Sequence, residues 1–406
     1  MSALIASTLL LTLSIAQVPA QAPAPALPQG APAVAGEPRR AMLEQAFEIA
    51  SMVPTEVHGR DRAKLQALAC ESLVRAGEVD RAIGLGAGID GWRRGEVYAV
   101  AALELAKAGK AEDARLVAKR ALSAAPSALD WQRQRLNVSV ARVYAWLGDD
   151  GAATELEKGI GEPDMGRVAA AKAGRIGGGS IPAEYFESQM KALEDWITTK
   201  NFDLVRNSVE VALEFYGPCL ADPARRARIE SLVAAAIEQV PYDLRVRFHL
   251  RMADTLRARG EAGSARERVA KAEAIISAFK WLTEDLVVQR AAVAACKARL
   301  GDAEAARKDL EAAMAAFDAG RAGIVDIYRA APLRAVAGAF AELKDEPSAR
   351  AVYLRALDEG AVNPNARPRA TDLVETVVAM ADAGVALDPA TEAKVASIQA
   401  GLVAPW

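Results

Sequence analysis

The sequence predicts an all-α fold, an array of antiparallel helix hairpins stacked in chain order, and three observations carry that prediction. Six stretches share one spacing, with a small residue, then Gly or its replacement seven positions on, then Ala five beyond that. They are Cys70–Gly77–Ala82, Ala102–Gly109–Ala114, Ala141–Gly148–Ala153, Ala253–Gly260–Ala265, Ala294–Gly301–Ala306 and Ala337–Lys344–Ala349. Helical patterning runs nearly end to end, broken at Gly, Pro and Asp. Alternating β-branched runs are almost absent, so no strands are expected. A pattern that recurs about every 40 residues marks a repeat array.

Each column of the pattern has a physical reason. Two antiparallel helices approach closely where their crossing residues are small. The first small residue belongs to a helix A and the Ala to a helix B. The Gly suits the turn between them, because it reaches positive φ without a steric cost and commonly ends a helix. Four positions before the Gly stands a larger side chain, Leu73, Leu105, Tyr144, Leu256 or Phe340, placed to fill the space between hairpins. Lys297 breaks that column and Lys344 breaks the Gly column.

Helices are expected at 39–53, 60–76, 79–86, 92–108, 111–124, 128–147, 150–158 and, more weakly, 164–175. They continue at 183–199, 202–216, 223–239, 242–259, 262–278, 281–299, 302–318, 325–343, 346–358, 369–383 and 389–401. Asp222 before Pro223 and Asp388 before Pro389 read as N-caps with Pro at the first helical position. The longest loop-like region is 161–182, rich in glycine, and the helices after it leave the repeat columns.

These residues resemble the tetratricopeptide repeat (TPR) family. Ala337, Phe340, Ala349, Tyr353 and Ala356 occupy five of its consensus columns, and Ala141, Tyr144, Gly148 and Ala153 occupy four. The intervals between Gly-column positions are 32, 39, 112, 41 and 43, against about 34 for a standard unit. Longer units of that kind look like Sel1-type and other TPR-like repeats. The resemblance covers roughly 60–160 and 240–360, and implies a right-handed superhelical TPR-like α-solenoid with a concave surface for a protein or peptide. The domain division read from the sequence is 1–20 signal peptide, 21–37 Pro/Ala-rich linker, 38–160 N-terminal repeats, 161–240 divergent hairpins and 241–406 C-terminal repeats.

Ala3 to Ala16 is apolar and about the length of an export-signal core, with small residues at candidate cleavage sites after Ala16 and Ala20. An uncleaved anchor is the alternative. Export to a bacterial periplasm or exterior is therefore expected. Residues 21–37 hold almost no charge and cannot bury a core. The net charge of −3 argues against non-specific nucleic-acid binding, which needs a broad positive field. No later apolar run reaches the length of a membrane span.

Motifs for chemistry are sparse, and no catalytic, cofactor-binding or metal-binding residue is assigned. Cys70, Cys219 and Cys296 form no CxxC pair; Cys219, after Gly217-Pro218, is expected in a turn and to be the accessible one. His58 and His249 are too few for a His-rich metal site, and no HExxH occurs. Gly174 to Ser180 lacks the Lys and the preceding strand of a phosphate loop. Trp406 is expected to cap the last apolar face.

Arginine placement is the feature with a functional edge. Arg247 and Arg251 lie four apart on one helical face, in a stretch that also holds Arg225, Arg226, Arg228 and Arg245. Arg133 and Asn137 are likewise four apart. Arg offers a planar fork suited to carboxylates. Two readings follow: a scaffold that binds an acidic protein or peptide partner on its inner helices, and an envelope enzyme or accessory subunit acting on cell-wall material. Self-association is a third possibility for the partner.

Overall fold

The computed structural model describes residues 36–160, 162–176 and 181–406. The expected signal peptide, the linker up to residue 35, and residues 161 and 177–180 of the glycine-rich loop lie outside them. Gly36 and Glu37, expected in the linker, form the first turn of α1.

Among the described residues there are nineteen α-helices and no strand. The chain runs α1 (Gly36–Ser51), α2 (Thr55–Arg75), α3 (Val79–Gly86), α4 (Trp92–Lys107), α5 (Ala111–Leu122), α6 (Asp130–Leu147) and α7 (Asp150–Glu157). It continues α8 (Glu162–Ile176), α9 (Ala183–Thr198), α10 (Phe202–Cys219), α11 (Pro223–Ile237), α12 (Tyr242–Ala258) and α13 (Ala262–Ala278). The last six are α14 (Thr283–Arg299), α15 (Ala303–Gly320), α16 (Ala330–Glu342), α17 (Glu346–Gly360), α18 (Ala366–Ala383) and α19 (Pro389–Ala400). Even-numbered helices from α2 to α18 pack on one another in sequence as an inner layer, and odd-numbered helices from α3 pack outside against the even-numbered helix before them, except α9, which packs on α10 and α11. This is an all-α solenoid.

The repeat columns act as the sequence predicts. All six first-column residues and all six Ala residues are completely buried. Every Gly-column residue has positive φ, and Lys344 adopts it too, at +60°. The turns share one hydrogen-bonding scheme in which the residue after the glycine donates to the carbonyl five positions back. Glu78 donates to Leu73, Lys110 to Leu105 and Asp149 to Tyr144, each at 2.9 Å. Glu261, Asp302 and Asp345 repeat this to Leu256, Lys297 and Phe340. The larger-residue column therefore supplies the carbonyl that closes the helix end. Val385, after Gly384 (φ +70°), donates to Met380 in the same way, a seventh turn that the small–Gly–Ala spacing does not reveal.

A second ladder ties neighbouring hairpins. Arg115, Arg266 and Arg307 each follow the Ala of one unit and reach the acid after the glycine of the next. The partners are Asp149 at 2.7 Å, Asp302 at 2.8 Å and Asp345 at 2.6 Å. Arg350 extends the ladder to Asp388.

Two expectations are corrected. The helix expected to stop at 216 runs through Gly217 and Pro218 to Cys219. A Cβ on Gly217 would lie 3.4 Å from Thr255, so this glycine allows close approach of α12 rather than forming a turn. Cys219 is consequently buried, not accessible. The segment expected as one helix over 325–343 begins instead with a 3-10 turn at Asp326–Tyr328 before α16.

The array closes on itself. α1 packs against both α2 and α18, and α18 also touches α2. The apolar core is continuous across this seam, joining Met42, Leu43 and Ile49 with Leu373, Val377 and Leu402. Trp406 packs on the same core, as expected of a cap. A second apolar cluster fills the middle of the array, from Ala169 to Cys296.

Candidate functional site

The inner helices curve around a cavity of about 380 Å³ lined by five of them in succession, α4 to α12. Its wall is written in pairs four residues apart, the spacing that puts two side chains on one helical face. These are Leu103 with Lys107 on α4, Arg142 with Trp146 on α6, Leu213 with Gly217 on α10, and Arg251 with Thr255 on α12. α8 contributes only Ala170 and Ala171. Because these are small, Arg142 of α6 reaches across α8 to Glu214 of α10, at 3.8 Å.

Three cations face this space and differ in how they are held. Lys107 pairs with Glu104 at 2.6 Å and lies 6.0 Å from the Trp146 ring centre. Arg142 has only the long contact to Glu214, and its buried Nε has no hydrogen-bond partner. The Arg251 guanidinium forms no hydrogen bond or ion pair among the described residues, although the side chain is exposed to the cavity. Crowding by the concave wall pushes its pKa below the ordinary arginine value; Arg167 and Arg247 push the same way, while Glu214 and Glu210 oppose them. Arginine remains charged at neutral pH. The cavity thus presents a guanidinium that no carboxylate contacts directly, with Glu214 and Glu210 close enough to stabilise its charge, and an anionic group would engage it.

Of the sequence-predicted residues, Arg251 lines the cavity. Arg247, one turn earlier, is engaged by Glu210 at 3.2 Å, and the same carboxylate receives Arg167 at 2.6 Å. Arg133 pairs with Asp130 on its own helix. Asn137 is half-buried, and its amide nitrogen lies 3.1 Å from where a Cβ on Gly159 would be. It sits five positions before Arg142, about 140° around the helix, so Arg133 and Asn137 are not brought to the cavity. The remaining arginines are used internally. Arg225 donates to the Ile181 carbonyl, Arg226 to Glu261, Arg228 to Glu194 and Arg245 to the Val240 carbonyl.

Lys107, Arg142, Trp146, Glu214 and Thr255 are not among the residues singled out from the sequence. A signal for several of them was present. Lys107 and Trp146 each stand two positions before a turn glycine, and Leu103 and Arg142 each six before it. Those columns face inward.

All three cysteines are buried free thiols. His249 is buried with Nδ1 unpartnered, and burial, with Arg268 and Lys271 nearby, lowers its pKa to about 4. Among the described residues no group of three or more His, Cys, Asp or Glu side chains is placed to hold a metal ion, and no helix is long and apolar enough to cross a membrane. No family model matches the chain, and no curated protein matches it significantly.

Proposed function

We propose that this chain is an exported, TPR-like scaffold that holds an acidic segment of a protein or peptide against its inner face and carries out no catalysis of its own. The observation that carries the reading is Arg251, an accessible guanidinium without a partner in a cavity it shares with Arg142 and Lys107. Most arginines of this chain are tied to carboxylates or backbone carbonyls within or between hairpins; among the described residues the guanidinium groups of Arg60, Arg94, Arg120, Arg175 and Arg251 are not, and of these Arg251 lines the cavity. Trp146 adds an apolar wall against which the stem of a ligand side chain can pack. The apolar N-terminal segment and the Pro/Ala stretch behind it support a periplasmic or extracellular location. The glycine turns and small-residue columns support kinship with TPR-like repeats.

The test is fluorescence anisotropy with a labelled glutamate-rich peptide, a lysine-rich peptide as control, and Arg251→Glu beside the unaltered protein. The acidic peptide should bind in a salt-sensitive manner, and the substitution should weaken it about tenfold or more, equivalent to about 1.4 kcal/mol. Equal affinity in both proteins, or preference for the basic peptide, would remove the reading.

A further inference from the structure

We propose that Glu214 is the specificity-determining residue of the inner-face cavity, an internal carboxylate that a ligand must outcompete to engage Arg142 and Arg251. The inference rests on the acidic-ligand reading above and adds to it how the site turns away weakly held anions.

Two neighbouring layers of the inner face differ in one respect. Glu210 and Glu214 stand four apart on α10, and Arg247 and Arg251 stand four apart on α12. That spacing puts each pair on one helical face, so α10 and α12 present the same acid and base twice, one turn apart. The first layer is closed. One oxygen of Glu210 accepts from Arg247 at 3.2 Å, and the other accepts from Arg167 of α8 at 2.6 Å. The second layer is open. Glu214 meets Arg142 only at 3.8 Å. Among the described residues no hydrogen bond reaches the Glu214 carboxylate, and none joins it to Arg251, although both line the cavity.

The difference has a source in the sequence. In the first layer the second cation, Arg167, comes from α8, which packs directly on α10. In the second layer α8 offers only Ala170 and Ala171, so the second cation is Arg142, which spans α8 from α6. Arg142, Glu214 and Arg251 therefore surround one space without closing on one another.

This arrangement sets what the cavity accepts. The Glu214 side chain keeps 19% of its exposure, so it is open to the cavity, yet a ligand seated there would cover it. A ligand carboxylate drawn to Arg142 and Arg251 arrives beside Glu214. The two acids repel, and they repel more strongly as the ligand excludes water between them. Like charges brought together across an interface suppress weak partners. Two guanidinium groups against one carboxylate still leave a surplus of one positive charge, so an anion is attracted, but less than to the arginines alone. A lone small carboxylate gains too little to stay. A peptide that also packs on Trp146 or reaches Lys107 has the additional contacts to remain bound.

The experiment is an anisotropy titration of the full chain with the labelled glutamate-rich peptide, comparing the unaltered protein with Glu214→Gln and Glu71→Gln. Gln keeps the shape of the side chain and removes its charge, and circular dichroism should show the same helical fold. Glu71 controls for a general change of charge. It stands six positions before Gly77, the column that holds Leu103 and Arg142, but lies outside the cavity. Glu214→Gln should tighten binding about fivefold or more at low salt, with the gain shrinking as salt rises, while Glu71→Gln stays within about twofold of the unaltered protein. Binding by Glu214→Gln alone would be the same result in its strongest form. Equal tightening by both variants overturns the inference, and so does binding by the unaltered protein that Glu214→Gln leaves unchanged or weakens; in both cases the acidic-ligand reading stands. Failure of every protein, Glu214→Gln included, to bind the peptide overturns both.

Discussion

Arg75, at the end of α2, donates to Asp382, at the end of α18, at 2.8 Å, so that residues 307 apart in sequence close the array. Both stand two positions before a turn glycine, Gly77 and Gly384. The same column joins Arg299 to Glu342 at 3.2 Å between two consecutive repeats. The seam thus continues the register of the array. Arg39 and the Ser72 hydroxyl also donate to Asp382, making this carboxylate the shared acceptor of α1 and α2.

Asp382→Ala should therefore loosen the seam. Three donors lose their acceptor while the apolar core beneath them remains, so the cost should be about 1–2 kcal/mol. Hydrogen exchange should localise the effect, with amides of α1, α2 and α18 exchanging faster and those of α10 to α13 unchanged. Uniformly raised exchange would mean that closure is not a local device.

Lys344→Gly should stabilise the protein. Lys344 holds φ at +60° in an exposed turn where the other units use glycine. A left-handed conformation costs an L-residue roughly 1–2 kcal/mol, part of which glycine's greater freedom in the unfolded chain offsets. The expected gain is about 0.5–1 kcal/mol in a denaturant titration. The reverse change, Gly301→Ala, should cost a similar amount, because a Cβ there meets nothing within 4 Å and only the φ of +85° opposes it.

The parts of this fold legible in the sequence are those that depend on local chemistry. Small residues at helix crossings and glycine at the turns recur at fixed spacing because each repeat solves the same packing problem, and the helix spans follow from them within a few residues. Lys344 remained legible because its neighbours Phe340 and Ala349 kept their columns. Closure was not legible: Asp382 carries no sign of being near Arg75, since contacts between residues 307 apart leave no periodicity. The site was half legible. Arg251 stood out by its spacing from Arg247, but only the three-dimensional arrangement shows that Glu210 claims Arg247 and leaves Arg251 open. Arg133 and Asn137 matched the spacing but lie away from this cavity around α6. Cys219 was misplaced because Gly217-Pro218 signals a turn in isolation, while packing against Thr255 gives that glycine another role.

None of the three cysteines should react with iodoacetamide or maleimide in the native protein at about pH 8. Burial pushes the Cys70 thiol up to about 12, with Glu71 adding to it, and the Cys296 thiol up to about 11, with Asp254 adding. Cys219 is raised by burial as well. Thiolate, the reactive form, is therefore scarce as well as covered. Mass spectrometry should find no adduct under native conditions and three in denaturant, with no disulfide after air oxidation. Native labelling of Cys219 alone would indicate that the end of α10 opens.

Acidification should destabilise the fold in two separable steps, the first carried by His249. In the unfolded chain it titrates at its ordinary value of 6.5; in the fold, burial together with Arg268 and Lys271 lowers this to about 4. Between those values the unfolded chain binds a proton that the folded chain refuses, so stability falls as pH falls. The loss should reach about 3 kcal/mol by about pH 4. His249→Leu should remove this step while leaving stability near neutral pH little changed, since Nδ1 gives up no hydrogen bond. The second step belongs to the inter-repeat ladder. Hydrogen bonds from Arg115, Arg266 and Arg307 hold the carboxyls of Asp149, Asp302 and Asp345 below the ordinary aspartate value of 3.8. Their contribution is complete above that value and is lost only as pH falls further. Denaturant titrations of both proteins from about pH 7 to about pH 3 would separate the steps, and an identical slope in both between about pH 6 and pH 4 would show that His249 is not the group responsible.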